Sequence, residues 1–321
     1  MNTKNPVKDG LLGHIVADAL GVPVEFQTRE ELDANPVTNM REYGTYNQPK
    51  GSWSDDSSLA LCLADCLTKG FDLKDMARQF INWKTKAHWT PHGEVFDIGI
   101  TTSESINLLV SALKQPNLAK PDMLKYIHDE YANGNGSLMR ILPLHFYLQG
   151  SPPEESFDLI WDVSALTHGH IRSAIACMIY LIFADEIAQG NNLSESNHNT
   201  RERTKTFFKR KQISDREKGY FHRILNREMP LIPREEIKSD GYVIHSLEAA
   251  IWCLLTSNDY PSTVLKAVNL GKDTDTTAAI VGGLAGLFYG EEAIPADWKN
   301  ALVKRTEIED LCERLWGVYR S

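Results

Sequence analysis

The sequence lacks several things that would each point to a particular class of protein. It has no Cys-x-x-Cys pair, and its cysteines are odd in number: Cys62, Cys66, Cys177, Cys253 and Cys312. That excludes a zinc ribbon or a closed disulfide framework and suits buried thiols in a reducing compartment. It has no excess of basic charge, with 34 Lys and Arg against 43 Asp and Glu and a net charge of −9. A duplex nucleic acid is therefore not an expected partner, because phosphate neutralisation needs a basic face. The first ten residues, MNTKNPVKDG, have no apolar signal core. The longest low-charge stretch, Thr274 to Gly290, contains Asp275 and several glycines, which is too short and too polar for a bilayer span. No membrane association is expected, and a soluble, cytoplasmic chain is. Convincing strand alternation, internal repeats and low-complexity tracts are also absent.

What remains is an ordinary globular balance, 42% hydrophobic and 24% charged, with apolar residues at helical spacing. Such spacing runs over Ser57–Leu67, Met76–Trp83, Ser105–Leu113, Met123–Tyr131, Phe157–Leu166, His245–Leu255 and Thr263–Leu270. The run Ile171–Ala184 is apolar nearly all round and predicts a central buried helix. Polar loops with proline separate these runs at Gln27–Gly51, Lys114–Pro121 and Gln149–Pro153. The pattern predicts an all-α fold with one core: a single domain over residues 1–321 with a basic helical insertion around 191–240. Within that insertion Arg201–Glu228 holds ten basic and four acidic residues. Two explanations stand open: a patch for an acidic partner, or a solvated helical surface.

Chemistry concentrates at two helix starts. Ser54-Asp55-Asp56-Ser57 precedes one apolar helix and Asp273-Thr274-Asp275-Thr276-Thr277 precedes another, Ala278–Tyr289. A hydroxyl cap with acidic residues in the first turn is common, but two such clusters exceed what capping requires. Brought together, four carboxylates would repel unless cations neutralised them. Hard oxygen donors suit Mg²⁺ or Mn²⁺, and two ions in one site can orient a substrate and stabilise developing charge. The second helix also contains Gly282, Gly283 and Gly286, a cost that close packing against a neighbouring helix would offset. Packing against the helix after Ser54 would bring the two clusters together.

An ordered set of motifs accompanies these clusters. Ala17-Asp18-Ala19-Leu20-Gly21-Val22-Pro23-Val24-Glu25 comes first, then the Ser54 cluster, then Asp97-Ile98-Gly99-Ile100-Thr101-Thr102. Gly134-Asn135-Gly136-Ser137-Leu138-Met139-Arg140, Thr167-His168, Gly241–Ala250 and Gly271-Lys272-Asp273-Thr274-Asp275-Thr276 follow. In this order, over roughly residues 10–290, the chain resembles the ADP-ribosylglycohydrolase family, closest in pattern to its dinitrogenase-reductase and ADP-ribosylarginine branch. The resemblance implies an orthogonal all-α globule around two Mg²⁺ or Mn²⁺ ions. It makes Ser54, Asp55, Asp56, Asp273, Asp275 and Thr276 the metal ligands. Glu25 would act on the ribose or its water and Asp97 would place substrate or water. Gly134, Asn135, Gly136 and Ser137 would meet ADP-ribose through backbone amides, with His168 contacting the ligand. Asp18 would hold the first helix against the metal loop, and Arg140 would be a structural ion-pair partner.

The implied activity is hydrolysis of ADP-ribose from a modified protein side chain, arginine first, with ADP-ribose as product. A hydrolase of serine-linked or small-molecule conjugates, and a catalytically silent ADP-ribose-binding or structural protein, are the alternatives. Two positions depart from the family pattern: Ser54 stands where threonine is commoner, and Lys272 replaces a glycine. If position 272 needs a positive φ, lysine is strained there.

Overall fold

Sixteen residues near the start of the chain, Pro6–Gly21, form a helix that is buried on almost every side. The computed structural model describes residues 5–114, 125 and 130–320. In chain order its α-helices are α1 (Pro6–Gly21), α2 (Arg29–Ala34), α3 (Asp55–Leu67), α4 (Leu73–Lys86), α5 (Ile100–Leu113), α6 (Pro143–Leu148), α7 (Pro153–Ala165) and α8 (Ile171–Ala188). They continue with α9 (Leu193–Arg210), α10 (Asp215–Tyr220), α11 (His222–Asn226), α12 (Val243–Leu255), α13 (Tyr260–Val268), α14 (Thr274–Tyr289), α15 (Ala296–Ala301) and α16 (Arg305–Tyr319). Among the described residues there is no strand. Tyr43 with Gln48 and Gly134 with Tyr242 form only isolated bridges. The fold is all-α, as the spacing predicts.

Each periodic run coincides with a helix, Phe157–Leu166 and Thr263–Leu270 ending one and two residues past theirs, except Met123–Tyr131, most of which lies outside the described residues. The helices begin earlier than the apolar spacing suggests, because capping and first-turn residues are polar. Ile171–Ala184 does form the core of a buried helix, α8. Helical spacing does not single out α1, since a helix that is apolar all round has no amphipathic signature.

The glycines of α14 have a different partner from the one expected. They meet α1, while α3 touches α14 much less extensively. A Cβ placed on Gly282 would sit 2.4 Å from Ala17 Cβ, and one on Gly13 would sit 2.4 Å from Gly282 O. One on Gly286 would sit 2.1 Å from Asp9 O. The two backbones are therefore in contact, and two hydroxyls fasten the neighbourhood. Tyr180 donates to Ile280 O at 3.0 Å and Tyr260 donates to Gly13 O at 2.6 Å. Gly282→Ala is expected to cost about 1–3 kcal/mol by overpacking. Gly317→Ala in α16 meets nothing within 4 Å and is expected to gain about 0.5 kcal/mol from helix propensity. Urea unfolding of the two variants should give shifts of opposite sign.

Arg140 is fully buried, yet carbonyls rather than a carboxylate meet its guanidinium. It donates to Gly136 O, to Val163 O at 3.2 Å and to Ser164 O at 3.4 Å, and lies 4.9 Å above the Phe80 ring. The ion-pair expectation is corrected accordingly, and burial holds its pKa down at about 10.

The basic segment rests on an apolar underside, with Phe207 packed 4.7 Å from Phe157. Acids on neighbouring helices meet many of its cations. Arg203 reaches Asp185 at 2.7 Å and Glu186 at 2.6 Å, Arg210 reaches Glu154 at 3.1 Å, and Arg223 reaches Glu248 at 2.8 Å. Much of the positive excess seen in sequence is thus cancelled in space. All five cysteines are buried and free. Burial pushes the Cys177 thiol up to about 11 and the Cys253 thiol up to about 12. Among the described residues no helix is long and apolar enough to cross a membrane.

Candidate metal centre and active site

The start of α3 is held from below by α1. Ser54 caps the helix, its Oγ accepting from Asp56 N at 3.3 Å. Asp18, fully buried, accepts from Ser54 N at 3.1 Å, Ser54 Oγ at 2.9 Å, Ser57 N at 3.1 Å and Ser57 Oγ at 2.5 Å. The first helix is thus fastened to the Ser54 loop through Asp18. Ser57, the last residue of the first acidic cluster, supplies half of that fastening.

The start of α14 is held by the end of α1. A Cβ on Gly21 would lie 2.3 Å from Asp275 Cα, so only glycine permits this approach. Thr274 Oγ1 donates to Gly21 O at 2.8 Å. Asp275 Oδ1 accepts from Thr276 N at 2.8 Å, and Asp273 Oδ2 accepts from Asn135 Nδ2 at 2.8 Å. The two acidic clusters meet where Thr276 Oγ1 donates to Asp56 Oδ2 at 3.2 Å, an oxygen that also lies 3.0 Å from Ser54 Oγ. Both clusters are therefore anchored to α1.

Glu25 follows the short 3₁₀ turn after α1 and is buried. One oxygen each of Glu25, Asp273 and Asp275 lies within 4.8 Å of the others. Asp97 lies beside the Asp55 carboxyl and the Ile98 amide, both of which offset the effect of burial on its charge. Asp97 does not cap α5, whose N-cap is Gly99. Tyr46 lies between the two sides, close enough to both Glu25 and Asp97 to favour their charged forms. Nothing in the sequence pattern singles out Tyr46, which sits in the Gln27–Gly51 loop; only its place beside the acids reveals it.

Seven acidic groups packed together, five of them buried and Asp97 and Asp273 half-buried, cannot all ionise without opposite charge. Burial, then repulsion from Asp97, pushes Glu25 up to about 8. Burial pushes Asp18 up to about 6 against the pull of its four donors. Burial and mutual repulsion push Asp55, Asp56 and Asp275 well above the ordinary carboxylate range, and burial raises Asp97 and Asp273. Four buried oxygens here have no hydrogen-bond partner: Glu25 Oε2, Asp56 Oδ1, Asp273 Oδ1 and Asp275 Oδ2. Buried polar atoms are nearly always satisfied, and hard divalent cations would satisfy this all-oxygen set. The residues present fit such ions.

The loop 134–137 and His168 lie beside this centre. Asn135 N donates to Gly241 O at 3.0 Å, and Asn135 Nδ2 also reaches Ser246 Oγ at 2.9 Å. The Asn135 amide groups are thus committed to the fold and to Asp273. The Ser137 hydroxyl turns inward, 3.0 Å from Ser164 Oγ. A Cβ on Gly136 would lie 2.7 Å from His168 Cε1, and one on Gly134 would lie 3.2 Å from His168 Nε2. Both glycines are therefore already required by the buried His168 ring, whose Nδ1 lies 2.9 Å from Thr167 Oγ1. Lys272 is exposed and does adopt a positive φ, 64°, the strain its sequence position implies.

The profile of the ADP-ribosylglycohydrolase family matches residues 1–321. The ADP-ribosylarginine hydrolase Tri1 of Pseudomonas putida (strain GB-1) is 29% identical, covering 96% of this chain and 77% of that one. The ADP-ribosyl-[dinitrogen reductase] glycohydrolase of Rhodospirillum rubrum is 25% identical over 93% of this chain and 90% of its own. A solved structure titled ADP-ribosylglycohydrolase-related protein complex superposes with a TM-score of 0.78 at 28% identity, covering 98% of both chains. The chain belongs to the ADP-ribosylglycohydrolase family and is a glycohydrolase enzyme.

Proposed function

We propose that this enzyme is a metal-dependent hydrolase that removes ADP-ribose from ADP-ribosylarginine on a protein, in the cytoplasm. The observation that carries this reading is the set of four unpartnered carboxylate oxygens where the two helix starts meet; the name of the Pseudomonas putida relative supplies the arginine. Ser54, Asp55, Asp56, Asp273, Asp275 and Thr276 would hold two Mg²⁺ or Mn²⁺ ions, with Glu25 close enough to Asp273 and Asp275 to share one. Such ions orient a ribose diol and offset the charge that develops during glycosidic cleavage.

The chain's own residues manage protons and position. Cleavage adds water's hydroxyl to the anomeric carbon and a proton to the departing guanidine nitrogen. Glu25, beside Tyr46 and carrying a free Oε2, is placed to move that proton. Asp97, beside Tyr46 and Asp55, orients the water or the ribose. The backbone of Gly134 and Gly136 would face the ADP-ribose. Asn135, Ser137 and His168 would support that loop, with His168 also in reach of the ligand.

The deciding experiment is release of ADP-ribose from an arginine-ADP-ribosylated protein with Mg²⁺, with Mn²⁺ and with EDTA. Metal-dependent release is expected. No release with either ion would reject the arginine reading and turn attention to serine-linked and small-molecule conjugates.

Stability should also report the metal. After EDTA treatment the folded-state pKa values of Glu25 and Asp18 stand above their ordinary values, at about 8 and about 6. Their contribution is then full below about pH 4 and lost as pH rises through 6 and 8. The Tm of the metal-free protein is expected to fall by roughly 5 °C between pH 5 and 8.5, the shift a few kcal/mol makes in a chain of this size. Excess Mg²⁺ should flatten that slope. An equal slope with and without Mg²⁺ would contradict a cation among these acids.

A further inference from the structure

Two non-glycine residues beside the acids hold backbone conformations that L side chains avoid. Phe26 has φ 68° and Lys272 has φ 64°. Phe26 N donates to Lys272 O at 2.6 Å, and Lys272 N donates to Gln27 O at 2.6 Å. Phe26 directly follows Glu25, and Lys272 directly precedes Asp273. The pair is braced from behind by Arg29, whose guanidinium bonds Leu270 O at 3.0 Å, Arg234 O at 2.8 Å and Ile237 O at 2.6 Å.

A positive φ is a genuine outlier for an aromatic residue and persists only where its surroundings impose it. Burial does not explain it here, because the Phe26 ring is 67% exposed. Its ring meets Tyr46 edge-on, with centroids 6.2 Å apart, and Tyr46 meets Phe96 at 5.2 Å. Phe26 and Phe96 flank Tyr46, so a row runs from the exposed Phe26 ring to the tyrosine beside Glu25 and Asp97.

We propose that this row is the acceptor subsite and that the face of Phe26 receives the planar guanidinium of ADP-ribosylarginine. This rests on the arginine reading above. A guanidinium is delocalised and weakly hydrated, and it stacks on aromatic faces. The acids beside the row add attraction for a cation. A serine acceptor has no planar cation to stack, so Phe26 is a specificity-determining residue for the leaving side and not for ADP-ribose.

The test compares Phe26→Leu and Phe26→Trp in the Mg²⁺-loaded enzyme. Phe26→Leu should lower kcat/KM for the arginine-linked substrate about three- to thirtyfold, the range of a cation–π contact between exposed and desolvated settings. Inhibition by free ADP-ribose should stay within about twofold of wild type, and Phe26→Trp should restore activity. Wild-type kcat/KM in Phe26→Leu, or an equal weakening of ADP-ribose inhibition, would overturn the subsite. Agmatine, a free alkylguanidinium, separates this idea from the activity itself. Calorimetry should show it binding the Mg²⁺- and ADP-ribose-loaded wild type and binding Phe26→Leu more weakly. If agmatine behaves so while arginine conjugates are not cleaved, the hydrolase reading fails and the subsite stands. No agmatine binding, or equal binding by both proteins, overturns the subsite.

Discussion

Replacing Asp273 and Asp275 together by alanine is expected to lower kcat/KM for ADP-ribose release by about 10³-fold or more while leaving the protein folded. Losing the charge stabilisation of bound ions is worth several kcal/mol, and each 1.36 kcal/mol is tenfold in rate. Folding should not suffer in proportion. Asp273 Oδ1 and Asp275 Oδ2 have no partner to lose, and Asn135 Nδ2 keeps Ser246 Oγ at 2.9 Å. Two fewer buried carboxyls also relieve the repulsion that raises Asp56 and Glu25. The Tm in EDTA should therefore equal or exceed that of wild type. The Mg²⁺-induced rise in Tm should disappear; an ion at 100 times its Kd adds about 2.7 kcal/mol. A variant that keeps its activity, or that still gains stability from Mg²⁺, would remove these two residues from the metal centre.

Asp18→Ala should act in the opposite way, chiefly on stability and only through it on chemistry. Asp18 touches no other site carboxylate by hydrogen bond but accepts two amides and two hydroxyls of the Ser54–Ser57 turn. Deleting it strands buried donors at about 1–3 kcal/mol each, so a loss of about 3–5 kcal/mol is expected after relaxation. Because Asp18 orients the Ser54 and Asp56 end of the cluster, Mg²⁺ affinity should also fall, by about 10–100-fold as for other outer partners of metal ligands. Urea unfolding and Mg²⁺ titration check the two effects. A stability loss under about 1 kcal/mol with unchanged Mg²⁺ affinity would mean that the turn holds itself.

The sequence by itself determined the class of this fold and the residue types of its site. Helical spacing marks α4, α7 and α13 because their buried stripes repeat with the turn of the helix. The clusters Ser54–Ser57 and Asp273–Thr277 stand out because acids and hydroxyls beyond the needs of capping are rare. The tertiary structure alone decided how these pieces meet. The glycines of α14 announce a close neighbour without naming it, and the neighbour is α1, whose own all-round burial erases its periodicity. The cations of residues 201–228 look like a patch because a chain read in order cannot see Asp185, Glu186 and Glu248 across the fold. Arg140 looks like half of an ion pair, yet carbonyls from its own loop and from α7 meet it. Tyr46 carries no pattern at all and matters only because the fold sets it beside Glu25 and Asp97, far apart in sequence. Periodicity and residue chemistry are local and survive in one dimension, whereas charge cancellation, close backbone approach and shared hydrogen bonds depend on distances that only the folded chain defines.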